Sequence, residues 1–323
     1  MAVYTEVSDD ELAAFVDSYG LGELMSYKGI AEGVENTNYM VRTSQDSFIL
    51  TLYEKRVAHA DLPFFLTLME HLAARGLPSP TPVRDRDGRN LRRLAGRPAA
   101  LITFREGFWV RRPSPAHCAA LGESLAQLHM AGTDFAMTRA NALSLEGWEK
   151  LNETIGRDAE RVMPGLSDLM AGELELLSRA WPAALPEGVI HGDLFPDNVF
   201  FLGQRISGLI DFYFACNDML AYDIAICLNA WCFETPKEFN ITKAKAMLDA
   251  YGRIRALTGA EYDALPLLAR GAALRFLLTR VHDWLHTAPS TFVKPHDPTA
   301  YLDRLRFHQG VETARGYGLE APA

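Results

Sequence analysis

One stretch constrains this chain more than any other: His191-Gly192-Asp193-Leu194-Phe195-Pro196-Asp197-Asn198, followed by Ile210-Asp211-Phe212. An Asp stands two residues after a His, an Asn five after that Asp, and a second Asp 18 residues past the first. Phosphoryl transfer to a hydroxyl needs a carboxylate that orients the acceptor and oxygen donors for the magnesium that neutralises the phosphates. Asp193 suits the first task, Asn198 and Asp211 the second. Apolar runs at 188–190, 199–202 and 207–210 frame these residues as strands, with a hairpin break at Gly203-Gln204-Arg205. A turn capped by His191 and Asp193 would explain one of these positions but not three in register. Asp197, between Pro196 and Asn198, fits a turn former as well as a ligand.

A chain of 323 residues is too long for one small core, so two lobes are expected. Hydrophobic residues at 48% and charged residues at 23% describe an ordinary globular protein. A formal charge of -9 argues against nucleic acid or an anionic membrane as partner. It does not oppose ATP, whose phosphates are handled by magnesium and backbone amides. The first ten residues carry no basic region and no apolar run. No stretch reaches the roughly 20 apolar residues of a membrane helix, so a cytoplasmic location is expected. Cys118, Cys216, Cys227 and Cys232 form no Cys-x-x-Cys pair and are expected as buried free thiols.

Ser8 and Glu11 make a capping box before a short helix that Gly20 stops. Strand patterns follow at 24–30, 37–43 and 47–54. Asp61 and Pro63 open a helix with Leu62, Leu66, Met69, Leu72 and Ala73 on one side, ended by Gly76 and Pro78. Two further strands are expected at 91–95 and 98–104. Residues 1–106 thus read as a small antiparallel β lobe with one helix. Residues 107–323 read as a larger helical lobe, with helices at 115–129, 166–180, 220–232, 239–258, 261–287 and 298–314. The expected class is α+β.

The run from His191 to Asn198 with Ile210-Asp211-Phe212 resembles the aminoglycoside phosphotransferase and choline kinase branch of the protein-kinase-like fold. Gly rather than Arg after the His separates it from protein kinases, and no Ala-Pro-Glu run follows Asp211. Three further segments, Tyr27 to Tyr39, Phe48 to Glu54 and Arg275 to Trp284, resemble the homoserine kinases of that branch. The likeness runs over nearly the whole chain. It implies a two-lobed kinase that uses ATP and magnesium to phosphorylate the side-chain hydroxyl of L-homoserine in threonine biosynthesis. Asp193 would be the catalytic carboxylate, His191 would hold its loop, and Asn198 with Asp211 would bind the metal. The alternatives are another acceptor (an aminoglycoside, choline, methylthioribose or hydroxylysine) or a catalytically weak nucleotide-binding module.

On the nucleotide side, Gly29 and Gly33 with Asn36-Thr37-Asn38 lie between two strand patterns. Such a loop can lay backbone amides over a triphosphate, although a plain hairpin turn has the same composition. Kinases place a Lys on the third strand to contact the phosphates and pair with a helix Glu. Here Thr51 stands in that position. Lys28 is the favoured substitute, Lys55 the other, and Glu70 the remnant helix acid. Phe104 and Glu106 are assigned to the adenine-contacting hinge by position.

On the acceptor side, Arg280, Asp283 and Trp284 share a helical face, with Arg275 on the same segment. An Arg can fork a carboxylate and an Asp can take an ammonium, which suits a zwitterionic amino acid. A solvated Arg–Asp pair within the helix is the other reading. His282 and His286 have no third ligand nearby in sequence, so zinc is not expected. Asp218 and Asp223 are expected to anchor the catalytic loop and a helix start. The chain could work as a monomer or a homodimer.

Overall fold

The computed structural model describes residues 5–30, 36–54, 58–287 and 295–320. The chain divides into two compact units, Met1–Glu106 with Gly208–Tyr213, and Gly107–Ser207 with Phe214–Ala323.

In the first unit, α1 (Asp9–Asp17) starts at the expected capping box, Ser8 with Glu11. Five antiparallel strands follow: β1 (Leu24–Ile30), β2 (Thr37–Thr43), β3 (Ser47–Leu52), β4 (Arg92–Leu94) and β5 (Arg97–Thr103). Their order in the sheet is β1-β2-β3-β5-β4. Alternation along each strand sends Tyr39, Val41, Phe48, Leu50, Leu52 and Leu101 to one face. There they form one core with Leu12, Phe15 and Val16 of α1. Each such large apolar side chain contributes roughly 1.5–3 kcal/mol on full burial.

The opposite face is fixed by the same register. Lys28 pairs with Met40 and Met40 with Ile49, while Ile30 pairs with Asn38 and Asn38 with Thr51. Lys28 and Thr51 therefore share a face. β3 stops at Leu52, short of the expected Glu54. Tyr53 N still donates to Pro98 O at 2.9 Å, but Pro98 has no N–H to return the bond, so the ladder closes there. α2 (Leu62–Ala74) buries the expected Leu62, Leu66, Met69 and Leu72, together with Phe64, Phe65 and Leu68.

The second unit begins with α3 (Pro115–Ala131), α4 (Leu145–Ile155) and α5 (Leu166–Ala180). The short strands β6 (Glu187–Ile190), β7 (Val199–Leu202), β8 (Arg205–Leu209) and β9 (Cys216–Met219) come next; β8 runs out of this unit at its end. α6 (Leu220–Trp231), α7 (Ile241–Gly252), α8 (Gly259–His286) and α9 (Thr299–Gln309) complete it. α8 is the central pillar and packs against α4, α5, α6 and α9. α3 crosses α7 so closely that a Cβ on Gly122 would stand 2.0 Å from the Met247 carbonyl oxygen, so only glycine fits.

Several elements were not expected from the sequence, among them α4, β9 and a two-stranded ribbon of Phe233–Thr235 with Glu238–Phe239. α4 buries Trp148 and Ile155, and its Leu145, Trp148, Leu151 and Ile155 do fall at helical spacing, a signal that sequence reasoning passed over. β9 reads Cys-Asn-Asp-Met, a polar run without strand character, and exists because β6 pairs with it. Two helices are shorter than expected. Asn240 caps α7, its side chain accepting from Lys243 N at 3.1 Å, and Gly310 follows the end of α9. The four cysteines are free and buried, as expected. Among the described residues no helix is long and apolar enough to cross a membrane.

Candidate active site

The catalytic loop leaves β6 at Ile190 and turns at Gly192. That residue has φ +74°, and a Cβ there would lie 2.9 Å from the Phe214 carbonyl oxygen. Glycine is required both by the backbone angle and by the space. The turn is clamped by Asp223 of α6, which is fully buried. Its carboxylate accepts from His191 N at 2.7 Å and Gly192 N at 3.0 Å. Burial alone would raise its pKa, but the bond to His129 and the nearby His129 and His191 charges outweigh it and hold the carboxyl below its usual range.

Behind Asp223 the wiring continues through buried groups. His129 Nε2 lies 3.2 Å from Asp223 Oδ2, and His129 Nδ1 lies 2.8 Å from the Tyr251 hydroxyl. Arg255 donates to Tyr251 Oη at 3.1 Å and to Glu261 at 2.8 Å. One chain of donors that satisfies every link runs from Arg255 to Tyr251, from Tyr251 to His129 Nδ1, and from His129 Nε2–H to Asp223.

The loop's carbonyls are held as firmly as its amides. Arg275 donates to Gly192 O at 2.6 Å and Trp231 Nε1 to Leu194 O at 2.8 Å. Asp193 N donates to His191 Nδ1 at 3.3 Å, so the imidazole serves the loop. Asn198 Nδ2 donates to Asp193 O at 2.8 Å and to Asp193 Oδ2 at 3.3 Å. The two ends of an amide point apart, so Asn198 Oδ1 is turned away from Asp193. It is a hard oxygen donor of the kind magnesium takes. Asp218, as expected, serves a helix start: Oδ1 accepts from Met219 N and Oδ2 from Asn141, both at 2.7 Å.

The acceptor-side expectations divide. Arg275 is a correction. It is only 2% exposed and donates through Nη1 to Gly192 O, so it holds the loop from within the core. Arg280 behaves differently. Its guanidinium lies 4.4 Å from the centroid of the Tyr301 ring. Burial lowers its pKa, while the carboxylates of Asp193 and Asp197 pull the other way. Asp283 meets His282 Nδ1 at 3.7 Å, and Trp284 is 46% exposed.

In the sheet-bearing unit, Asp211 follows β8 with φ +63°, a left-handed backbone that a non-glycine residue adopts at a cost. Thr51 stands where a third-strand Lys was looked for, and it is 2% exposed. Its Oγ1 donates to Asn38 Oδ1 at 2.8 Å. Tyr213 is also bonded to Thr51, and its hydroxyl lies 3.2 Å from that of Tyr53. Burial is the main cause pushing the Tyr213 phenol up to about 12. The position therefore carries a neutral hydroxyl and amide network.

Asn36 and Thr37 turn their side chains to Glu54: Glu54 N donates to Asn36 Oδ1 at 3.3 Å, and Thr37 Oγ1 donates to Glu54 Oε1 at 2.9 Å. Both side chains are buried and bond within the sheet-bearing unit, so any contact they offer a triphosphate comes from their backbone amides. Lys28 is exposed on β1, where Gly29 pairs with Tyr39. Gly33 and Lys55 lie outside the described residues. Glu70 accepts from Arg84 at 2.8 Å and Asn90 at 3.2 Å, which takes it out of any lysine pairing. Phe104 and Glu106 are exposed just past β5. His129, Tyr251, Tyr213 and Tyr53 were missed by sequence reasoning. Each acts on a residue far away in the chain, and no local motif marks it.

Residues 26–257 match the phosphotransferase enzyme family. A homoserine kinase of Bradyrhizobium diazoefficiens is 63% identical over 320 residues, 99% of this chain and 98% of that one. A homoserine kinase of Parvibaculum lavamentivorans is 61% identical over 321 residues, 99% of this chain and 100% of that one. Among solved structures, an amicoumacin kinase in complex with AMP-PNP and calcium aligns with a TM-score of 0.70 at 16% identity, covering 93% of this chain and 92% of that one. A spectinomycin phosphotransferase aligns with a TM-score of 0.68 at 14% identity, covering 94% of each chain. These two share the fold, which is α+β and protein-kinase-like. The chain belongs to the phosphotransferase enzyme family and, at 60–63% identity over almost its entire length, to the homoserine kinases within it.

Proposed function

We propose that this chain transfers the γ-phosphoryl group of ATP to the side-chain hydroxyl of L-homoserine, giving O-phospho-L-homoserine and ADP. The observation that carries the mechanism is the catalytic loop: Asp223, Arg275 and Trp231 hold its backbone while Asp193 remains half-buried and within reach of Arg280's charge. Asp193 orients the acceptor hydroxyl and takes its proton as oxygen attacks phosphorus and ADP leaves. Asn198, through Oδ1, and Asp211, through its carboxylate, would hold magnesium, which when bound neutralises charge on the phosphates. Residues 1–106 serve the nucleotide and residues 107–323 the acceptor. Lys28, on the sheet face it shares with Thr51, stands in for the third-strand cation, and Gly29 with Gly33 covers the phosphates. Arg280 takes the acceptor's carboxylate.

Coupled ADP release tests this with L-homoserine, D-homoserine, L-serine, choline, hydroxylysine, methylthioribose and kanamycin as acceptors. Strong stimulation by L-homoserine alone is expected. Turnover on a different acceptor would keep the phosphotransferase chemistry and discard the substrate. Nucleotide binding without turnover on any of them would turn the reading towards a binding module.

A further inference from the structure

We propose that Arg280, Tyr301 and Arg304 form an anion subsite beside the catalytic loop that takes the α-carboxylate of the amino-acid acceptor. The inference rests on the kinase reading above and adds Tyr301 and Arg304 to it.

Both guanidinium groups lie on one ring. Arg280 of α8 is 4.4 Å and Arg304 of α9 is 4.6 Å from the Tyr301 centroid. Like charges beside one ring repel unless an anion joins them, and the Arg304 charge is one of the causes that lower the Arg280 pKa. Arg304 donates through Nη1 to Asn229 O at 2.6 Å, which fixes its orientation without neutralising it.

The second observation is an unsatisfied pair of polar atoms. The Tyr301 hydroxyl and Arg304 Nε are buried and, among the described residues, find no hydrogen-bond acceptor, while Arg304 itself acts on the hydroxyl as a donor. The Tyr301 side chain as a whole is 0% exposed. Buried polar groups are normally paired, and these two have donors to offer an incoming oxygen.

The third observation ties the subsite to the reacting end. The Tyr301 ring packs at 5.2 Å from Phe276, and Phe276 at 4.9 Å from Phe195 of the catalytic loop. The Asp193 carboxylate acts on both Arg280 and Tyr301. A short amino acid held there by its carboxylate extends its hydroxyl towards Asp193. Arginine forks suit a carboxylate in this role. The other anion such a subsite could take is a phosphate of ATP.

Steady-state kinetics on Arg304→Met and Tyr301→Phe separate these cases. Two acceptors are used: L-homoserine, and L-homoserinol, whose carboxylate is replaced by a hydroxymethyl group. Arg304→Met is expected to raise KM for L-homoserine about tenfold or more, the loss of one charge-assisted contact. KM for ATP stays unchanged, and L-homoserinol is turned over equally by variant and wild type. Tyr301→Phe keeps the ring and gives a smaller rise of the same kind, which carries the test if Arg304→Met fails to fold. A raised KM for ATP with L-homoserine unaffected would assign the subsite to phosphate and overturn the proposal. So would equal losses on both acceptors, which mark a merely structural role. Normal wild-type turnover with unshifted variants removes the subsite alone. A wild type inactive on both acceptors removes the kinase reading and the subsite with it.

Discussion

The catalytic loop and the third strand of the sheet are both places where a kinase must place charge, and this chain builds them in opposite ways. The loop is charged at its reacting end and braced by charged groups behind. Asp223 accepts from two loop amides and meets a histidine, and Arg275 donates to a loop carbonyl. The third strand has no cation where one was looked for. Thr51, Asn38, Tyr53 and Tyr213 form a buried network of hydroxyls and an amide instead. Rigid orientation of a carboxylate needs ionic bracing, because an unbraced loop in a water-poor interior leaves amides unpaired. A strand already fixed by its sheet neighbours needs none, so the cation for the phosphates can come from elsewhere on the same face.

If that contrast is right, substitutions in the loop damage chemistry or folding severely, while those on the strand do little. The largest effect belongs to Asp193→Ala: kcat on L-homoserine falls about 10²–10⁴-fold, with nucleotide affinity retained by calorimetry. Asp223→Ala strips the clamp from beneath the loop and removes the shared acceptor of His129 Nε2, His191 N and Gly192 N in the interior. Urea denaturation should show a loss of about 3–5 kcal/mol, the scale for removing one partner of a buried pair. Arg275→Met leaves the Gly192 carbonyl without its donor and should cost about 1–3 kcal/mol, with kcat falling more than KM rises.

A separate pH signature sharpens the comparison, since it arises in the helical unit away from either region. His308 is fully buried, its Nδ1 2.8 Å from the Tyr317 hydroxyl and its Nε2 3.2 Å from Asn229 Oδ1. Burial, helped by the Arg304 charge, lowers its pKa from 6.5 to about 3. Between those values the unfolded chain binds the proton and the folded chain does not. Stability is therefore complete above pH 6.5 and falls as pH drops below it, by about 1.4 kcal/mol per pH unit from this group. Denaturant titrations at pH 7, 6 and 5 on wild type and His308→Asn should show that part of the slope vanish in the variant. The smallest effect is expected on the strand. Thr51→Val removes one hydroxyl link and should cost about 1 kcal/mol of stability with kcat nearly unchanged. A large fall in kcat there would erase the contrast.

What the sequence made legible follows the same division. The loop could be read because its reacting groups lie within eight consecutive residues and its flanks are apolar strands. Ser8 with Glu11 and the edges of β1 and β2 were readable for a similar reason: capping and alternation are local. Asp223 could be suspected from its place after Asp211 and before an apolar helical run, but its partners could not. His129 and Tyr251 stand 94 residues before and 28 after it, and nothing near either residue marks the bond. The role of Arg275 was misread because helical spacing tells which residues share a face, not which neighbour that face meets. β9 was invisible because its strand character comes from pairing with β6 and not from its own side chains.

The most direct test of the central claim is product detection by phosphorus-31 NMR after incubating the chain with ATP, magnesium and L-homoserine, beside an Asp193→Ala control. The account predicts a phosphomonoester resonance matching authentic O-phospho-L-homoserine in the wild type, growing with ADP, and next to none in the variant. Equal product from both proteins would contradict it, because the braced carboxylate would then have no part in the transfer.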